Sequence, residues 1–315
     1  MLTFGPIPSR RLGRSLGINN IPPKICTYSC VYCQIGKTSQ MKVEPQAFYP
    51  PDQIFEEVQE KVKKSKEKEE LIDYLTFVPD GEPTLDINLG HEIKLIKSLG
   101  IKVAVITNCS IIDQKKVREN LKEADLVSLK VDSGEEEIWR KINRPHRKLH
   151  LDTILNSILE FARTFKGKII TETMLVKGIN EDRRQIERVA DFLARLNPER
   201  AYLSIPIRPP AMSWVRAPSE EVLNQSYNIF QKRINQVEYL IGYEGNDFAF
   251  TGEVEEDILS ITSVHPMREE ALKDFLKKAN SDWLVIDKLM QQDKLAESEY
   301  EGHRFFIRRL KVSNK

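Results

Sequence analysis

The chain has 315 residues, 40% of them hydrophobic and 30% charged, with 48 Lys and Arg against 47 Asp and Glu for a formal charge of +1. That length supports one barrel-sized core plus an appendage, and the balanced charge argues against a general nucleic-acid coat, so that any RNA contact must come from local patches. No apolar run approaches the roughly 18–20 residues that span a bilayer, and the opening Met1-Leu-Thr-Phe-Gly-Pro-Ile-Pro8 lacks a basic start followed by an apolar core, so the expectation is cytoplasmic, with no membrane partner.

Along the chain, Ser15–Ile21 reads as a first strand and leads into Cys26-Thr-Tyr-Ser-Cys30-Val-Tyr-Cys33. Three of the four cysteines stand in this C-x3-C-x2-C run; Cys109 stands apart. Clustered thiols in a reducing compartment point to metal. Three thiolates on one loop can hold three corners of a four-iron cluster and leave the fourth iron open to a small molecule. Zinc usually takes four protein ligands in two close pairs, and no His lies near this loop in sequence. Redox sensing by neighbouring thiols is the other reading open at this point.

A helix is expected over Pro51–Lys68, then strands over Leu71–Val78, Ile101–Thr107, Leu126–Val131, Ile169–Leu175 and Ala201–Ile205. Between them, helices are expected over Asp86–Leu99, Asp113–Glu123, Asp152–Phe165 and Asp182–Leu196, each opened by an Asp able to cap free amides. Six β-α units in sequence imply parallel strands with helical crossovers, hence a partial (βα)6 TIM-type barrel over residues 1–217. Functional groups in such barrels sit at the C-terminal strand ends, where the cysteine loop falls.

Other candidates share that rim. Pro79-Asp-Gly81-Glu82-Pro83-Thr84 follows a strand; as a bare sequence it is also an ordinary turn. In Asp125–Asp132 the alternation puts Ser128, Lys130 and Asp132 on one face, and a charge inside a barrel needs a partner. Thr107-Asn108, Thr171-Glu-Thr173 and Ile205-Pro-Ile-Arg208 also end strands. The basic stretches Arg10-Arg11-Leu-Gly-Arg14 and Arg140–Lys148 could meet phosphates or be solvated faces. Cys109 alone cannot hold a second cluster and reads as a small buried hydrophobe.

Beyond residue 217 the barrel rhythm is expected to stop: Glu220–Ile241 looks helical, and Gly242–Asn246 is a turn-rich connector within a 218–262 extension. A C-terminal α+β module over 263–315 is expected as helix (Arg268–Ala279), helix (Asp282–Asp293) and a hairpin over Leu295–Leu310, an order like that of a winged helix. The alternative is a mixed cap packed on the barrel.

Cys26, Cys30 and Cys33, with Tyr32 before the third cysteine, resemble the cluster motif of the radical S-adenosylmethionine superfamily. The resemblance covers about residues 1–215 and implies a [4Fe-4S] cluster whose open iron chelates S-adenosylmethionine. Reduction by a flavodoxin- or ferredoxin-type donor would then give a 5′-deoxyadenosyl radical. It further implies that Gly81, Glu82 and Pro83 stand for the family's glycine-rich segment near the methionine ammonium, with Asp80 where its first glycine is common. By the same resemblance Ser128 and Lys130 face the methionine carboxylate or the ribose, Asn108 joins them from its strand end, and Arg208 lies near the adenine. Gly81–Leu85, Lys141-Ile-Asn-Arg-Pro145 and Leu175-Val-Lys-Gly-Ile179 are similar to the branch containing the tRNA 4-demethylwyosine synthases, which implies an RNA substrate. This chain lacks that branch's second, N-terminal cysteine set. Two further readings are an activase that installs a glycyl radical in a partner protein, and a cluster-based sensor that binds DNA through its C-terminal module.

Overall fold

The structure, a computed structural model, describes residues 2–242 and 245–309. Tyr243 and Glu244 of the expected connector, and residues 310–315 at the end of the expected C-terminal module, lie outside them. In chain order the elements begin with β1 (Thr3–Ser9), β2 (Gly13–Ile18), β3 (Ile25–Cys26), β4 (Gln40–Met41), α1 (Pro51–Glu67), β5 (Tyr74–Phe77) and α2 (Leu89–Lys97). There follow β6 (Lys102–Thr107), α3 (Lys115–Leu121), β7 (Leu126–Lys130), α4 (Glu136–Asn143), α5 (Leu151–Thr164), β8 (Lys168–Met174), α6 (Arg183–Leu196) and β9 (Arg200–Ser204). The last are α7 (Glu220–Gln231), β10 (Val237–Leu240), α8 (Val254–Val264), β11 (Met267–Arg268), α9 (Glu269–Lys278), α10 (Leu284–Gln291), β12 (Leu295–Tyr300) and β13 (His303–Arg308).

Eight strands form one curled sheet in the order β1-β2-β5-β6-β7-β8-β9-β10. From β2 onward every neighbouring pair is parallel, as helical crossovers require. The two-residue period of the strands sorts their side chains. Leu75, Phe77, Val103, Val105, Val127, Leu129 and Leu203 share the main core with helix residues such as Ile154, Ile158 and Phe161 of α5. That i, i+4, i+7 stripe buries side chains worth about 1.5–3 kcal/mol each. The opposite face of the sheet carries Tyr74, Ala104, Leu126, Ile170, Tyr202 and Leu240, and Leu12 from the β1–β2 turn packs against them. The hairpin thus plugs the floor of a half-barrel.

Two strands depart from the sequence expectation. β1 pairs antiparallel with β2 at the sheet edge, although Pro6 and Pro8 interrupt its pattern. An edge strand tolerates proline because half its amides need no partner. The stretch expected to be helical over Glu220–Ile241 is helix only through Gln231, after which Val237–Leu240 adds a seventh parallel strand beside β9. Its alternation is short and sits behind a polar helix end, so periodicity alone did not separate it.

A second core gathers Phe248, Ile258, Ile261, Leu272, Phe275, Ile286 and Phe306. Around it α8, β11, α9, α10, β12 and β13 follow one another, with the strands in the order β11-β13-β12. Lys61 of α1 ties this part to the barrel through Asp257 at 2.7 Å and Thr251 at 2.6 Å. Among the described residues no helix is long and apolar enough to cross a membrane.

Candidate active site

The cysteine loop leaves β2 and is held on two sides. β3 pairs in parallel with β4, closing the loop's ends. Within it, Cys33 N donates to Cys30 O at 3.2 Å and Gly36 N to Cys33 O at 3.1 Å, two consecutive turns. On the other side the end of α4 supplies carbonyls: Val31 N reaches Ile142 O at 2.9 Å and Ser29 N reaches Asn143 O at 3.1 Å. His146 N donates to Thr27 O at 2.9 Å.

Gly81 explains why the loop can lie so close to the sheet. A Cβ there would stand 1.9 Å from Ile25 O, so only glycine lets the backbone of β3 approach. Beside it, Glu82 is buried and saturated. Its carboxylate accepts from Thr84 N (3.1 Å), Thr84 Oγ1 (2.6 Å), Thr107 Oγ1 (2.6 Å) and Asn108 N (2.8 Å). Burial pushes its pKa up, and the hydroxyls of Thr107 and Thr84 and the Asn108 amide pull against that shift. Pro83 starts a single 3-10 turn, and its carbonyl accepts from Asn20 Nδ2 at 3.2 Å. Glu82 therefore fixes the end of β6, and with it Asn108, whose Nδ2 reaches Cys26 Sγ at 3.5 Å and Thr27 Oγ1 at 2.8 Å.

Inside the half-barrel lies a cavity of about 300 Å³. Tyr32 and Cys33 line its upper part, Ser15, Thr76 and Leu12 its floor, and Arg11, Lys130, Glu172 and Arg208 its walls. Lys130 Nζ bonds Glu172 at 2.7 Å, lies 3.9 Å from Asp132 and sits 5.0 Å over the Tyr32 ring. Arg11 reaches the other oxygen of Glu172 from the plugging hairpin. Burial alone would raise the Glu172 pKa, yet Lys130 and then Arg11 outweigh it and hold it at about 2. Burial works against the Lys130 charge too, but Glu172 and Asp132 prevail and raise its pKa. Lys130 is a fixed cation at a strand end, fit to meet a carboxylate.

The far wall comes from beyond the barrel. Val264 and His265, at the end of α8, line the cavity. Gln34 Nε2 donates to Val264 O at 2.6 Å, Arg208 Nη1 donates to Gln34 Oε1 at 3.0 Å, and Arg208 Nη2 lies 3.1 Å from His265 Nε2. Burial and then Arg208 push the His265 pKa well down, so the imidazole is neutral and accepts from Arg208.

Tyr32, Cys33, Lys130 and Arg208 thus share one cavity, and Cys26, Gly81, Glu82, Pro83 and Asn108 form the layer behind the cysteine loop. Ser128 is buried two residues before Lys130, outside the cavity lining. Gln34 and His265 were not singled out from the sequence, Arg11 was offered only within a basic stretch that could meet phosphates, and Asn143 only within Lys141–Pro145. The partners of all four are remote in sequence.

The donor set fits an iron–sulfur cluster. Burial raises the pKa of all three thiols, that of Cys30 to about 12, so iron must displace protons to bind. Among the described residues no three His, Cys, Asp or Glu converge on a single-ion site. A cluster instead places each thiolate on a different iron, which suits thiols spread along a loop.

Residues 20–193 match the family model of the radical SAM superfamily. The UPF0026 protein MJ1312 of Methanocaldococcus jannaschii is 48% identical over 100% of this chain and 98% of its own. A solved structure of TYW1 with a lysine–pyruvate adduct bound aligns over 70% of this chain and 74% of that one, with a TM-score of 0.54 at 16% identity. Streptococcus suis SuiB bound to S-adenosylmethionine aligns over 71% and 49%, with a TM-score of 0.52 at 14% identity. At those identities the two structures show a shared fold. The half-barrel, the three-thiol loop at its mouth and the match across more than half the chain lead to one conclusion: this protein belongs to the radical SAM superfamily, enzymes that work with a [4Fe-4S] cluster and S-adenosylmethionine.

Proposed function

We propose that this enzyme reductively cleaves S-adenosylmethionine and uses the resulting radical to modify an RNA, with tRNA as the favoured class. The observation that carries the reading is the three-thiol loop, whose Tyr32 and Cys33 line the cavity of the half-barrel beside a lysine held cationic by Glu172. When bound, the cluster would pass one electron from a flavodoxin- or ferredoxin-type donor to S-adenosylmethionine, whose carbon–sulfur bond would break to give methionine and a 5′-deoxyadenosyl radical able to take a substrate hydrogen atom. The chain's own share is position and shelter. Cys26, Cys30 and Cys33 ligate, Lys130 receives the methionine carboxylate, and the wall of Arg208, Gln34 and His265 excludes water. Lys130 acts as a charge and not as a nucleophile, because two carboxylates keep it protonated.

The RNA reading draws on the Lys141–Pro145 segment. It packs directly on the cysteine loop, where Tyr28 bridges Pro145, and it exposes Lys141 and Arg144, with Arg147 exposed just beyond it. Trp214, 48% exposed, stands on a loop pinned to the cysteine loop by the 3.1 Å bond from Met212 N to Val31 O. Cations beside an exposed aromatic suit an unpaired base and its phosphates. The C-terminal module has the element order of a winged helix, and we read it as a cap on the barrel. Its hairpin sets Glu297, Glu299 and Glu301 against Arg304, Arg308 and Arg309, with Arg304 paired to Glu297, and so offers no excess of cations to duplex DNA.

The test is 5′-deoxyadenosine formation by reduced, cluster-loaded protein given S-adenosylmethionine with or without unmodified tRNA. The expected result is a several-fold stimulation by tRNA and a nucleoside of altered mass. No stimulation by RNA, with stimulation by a partner protein that acquires a stable radical, would transfer the reading to an activase.

A further inference from the structure

Two side-chain amides, one buried and one half-buried, point at the sulfurs of the cysteine loop. Asn143, 1% exposed at the end of α4, places Nδ2 3.4 Å from Cys30 Sγ. Asn108, at the end of β6, places Nδ2 3.5 Å from Cys26 Sγ. An amide can be turned over by 180°, so the donor's direction must be argued from its neighbours. At Asn143 the neighbour is Asp132: its Oδ2 accepts from Asn143 Nδ2 at 2.7 Å, while Tyr32 Oη donates to the same oxygen. Turning the amide over would set oxygen against carboxylate. Asp132 cannot swing away, because its Oδ1 is held by Met174 N at 2.8 Å. One N–H of Asn143 therefore goes to Asp132, and the second is left for Cys30 Sγ and Tyr32 Oη, the latter at 3.1 Å. At Asn108 the carbonyl oxygen is taken by Ser110 N at 3.0 Å, which again leaves Nδ2 facing Thr27 and the sulfur of Cys26.

We infer that Asn143 and Asn108 are positioning residues that set the reduction potential of the cluster, each by an N–H···S hydrogen bond to one ligating sulfur; the inference rests on the cluster reading above. The physical reason is charge. Reduction adds an electron that spreads onto the thiolate sulfurs, and a donor to those sulfurs stabilises the reduced form more than the oxidised one. Opposing acids lie close: Glu82 bears on Cys26, Asp132 on Cys30 and Asp80 on Cys33. The two amides offset this local negative field without adding a charge of their own. Cys33 lacks a side-chain amide among the described contacts and has the Lys24 cation and a backbone bond at Ile35 instead.

The test is an anaerobic redox titration of the cluster-loaded protein followed by electron paramagnetic resonance, without S-adenosylmethionine or substrate. Asn143→Leu and Asn108→Ala each remove one donor. Each is expected to disfavour reduction by about tenfold, a fall of ~59 mV for a one-electron couple, and the double variant is expected to fall further than either. Iron and sulfide analysis establishes that each variant is loaded. Should Asn143→Leu fail to fold around the unpaired Asp132, Asn108→Ala, whose residue is less buried, gives the same reading. A fully loaded variant with the wild-type potential overturns the inference for that amide. Wild-type protein that assembles no cluster overturns the metal reading itself, a separate outcome.

Discussion

At the residue scale the site depends on a few close approaches. Gly81 makes one of them: any side chain there meets Ile25 O one residue before Cys26. Gly81→Ala is expected to lower stability by about 1–3 kcal/mol, the usual cost of overpacking, and to cut the iron bound per chain because β3 must retreat. Thermal unfolding and iron analysis of the purified protein check both parts, and wild-type values for both would contradict this account of the glycine. The three-cysteine motif of the superfamily was legible because its thiols stand within eight residues of contiguous sequence. Asn143 and Arg11 were not, since their roles depend on Cys30 and Glu172, 113 and 161 residues away.

At the element scale the entry to α2 carries an unusual pair, Glu92 in its first turn and Asp86 three residues before the helix begins. Asp86 and Glu92 are buried together, and their two side chains are hydrogen-bonded to each other. Burial is the main cause that lifts both, Asp86 to about 6 and Glu92 to about 9, with the charge of Asp86 adding to the rise at Glu92. A carboxyl raised above its unfolded value contributes stability that is complete below that value and lost as pH rises through the folded one. Between about pH 4.5 and pH 9, Glu92 must therefore bind a proton to fold. Glu92→Gln, which keeps a donor for Asp86, removes that requirement. Its stability relative to wild type is expected to rise from pH 5 to pH 8 by on the order of 1–3 kcal/mol. Urea unfolding of both proteins at each pH checks it, and a difference constant with pH would contradict it. The six central β-α units were legible from periodicity, since short runs rich in apolar residues alternate with helices that are apolar on one stripe. The edge strands were not: prolines mask β1, and β10 has four residues.

At the scale of the whole molecule, the half-barrel is closed from two directions. The β1–β2 hairpin fills the floor with Leu12 and sends Arg11 to Glu172, while α8 brings Val264 and His265 to the rim. The residues before the barrel and those after it thus complete one cavity around Lys130 and the cysteine loop. This closure was not legible, because a half-barrel's periodicity is silent about what covers its mouth. The central claim is that the enclosed loop holds a cluster that splits S-adenosylmethionine. The most direct measurement is 5′-deoxyadenosine released by anaerobically reconstituted, reduced protein, compared with Cys30→Ala. Formation by the wild type and its loss, by at least about a hundredfold, on removal of one ligating thiolate is the expected result. Cluster-replete wild-type protein that releases none with any RNA or protein substrate, or a Cys30→Ala variant that releases as much, would contradict it.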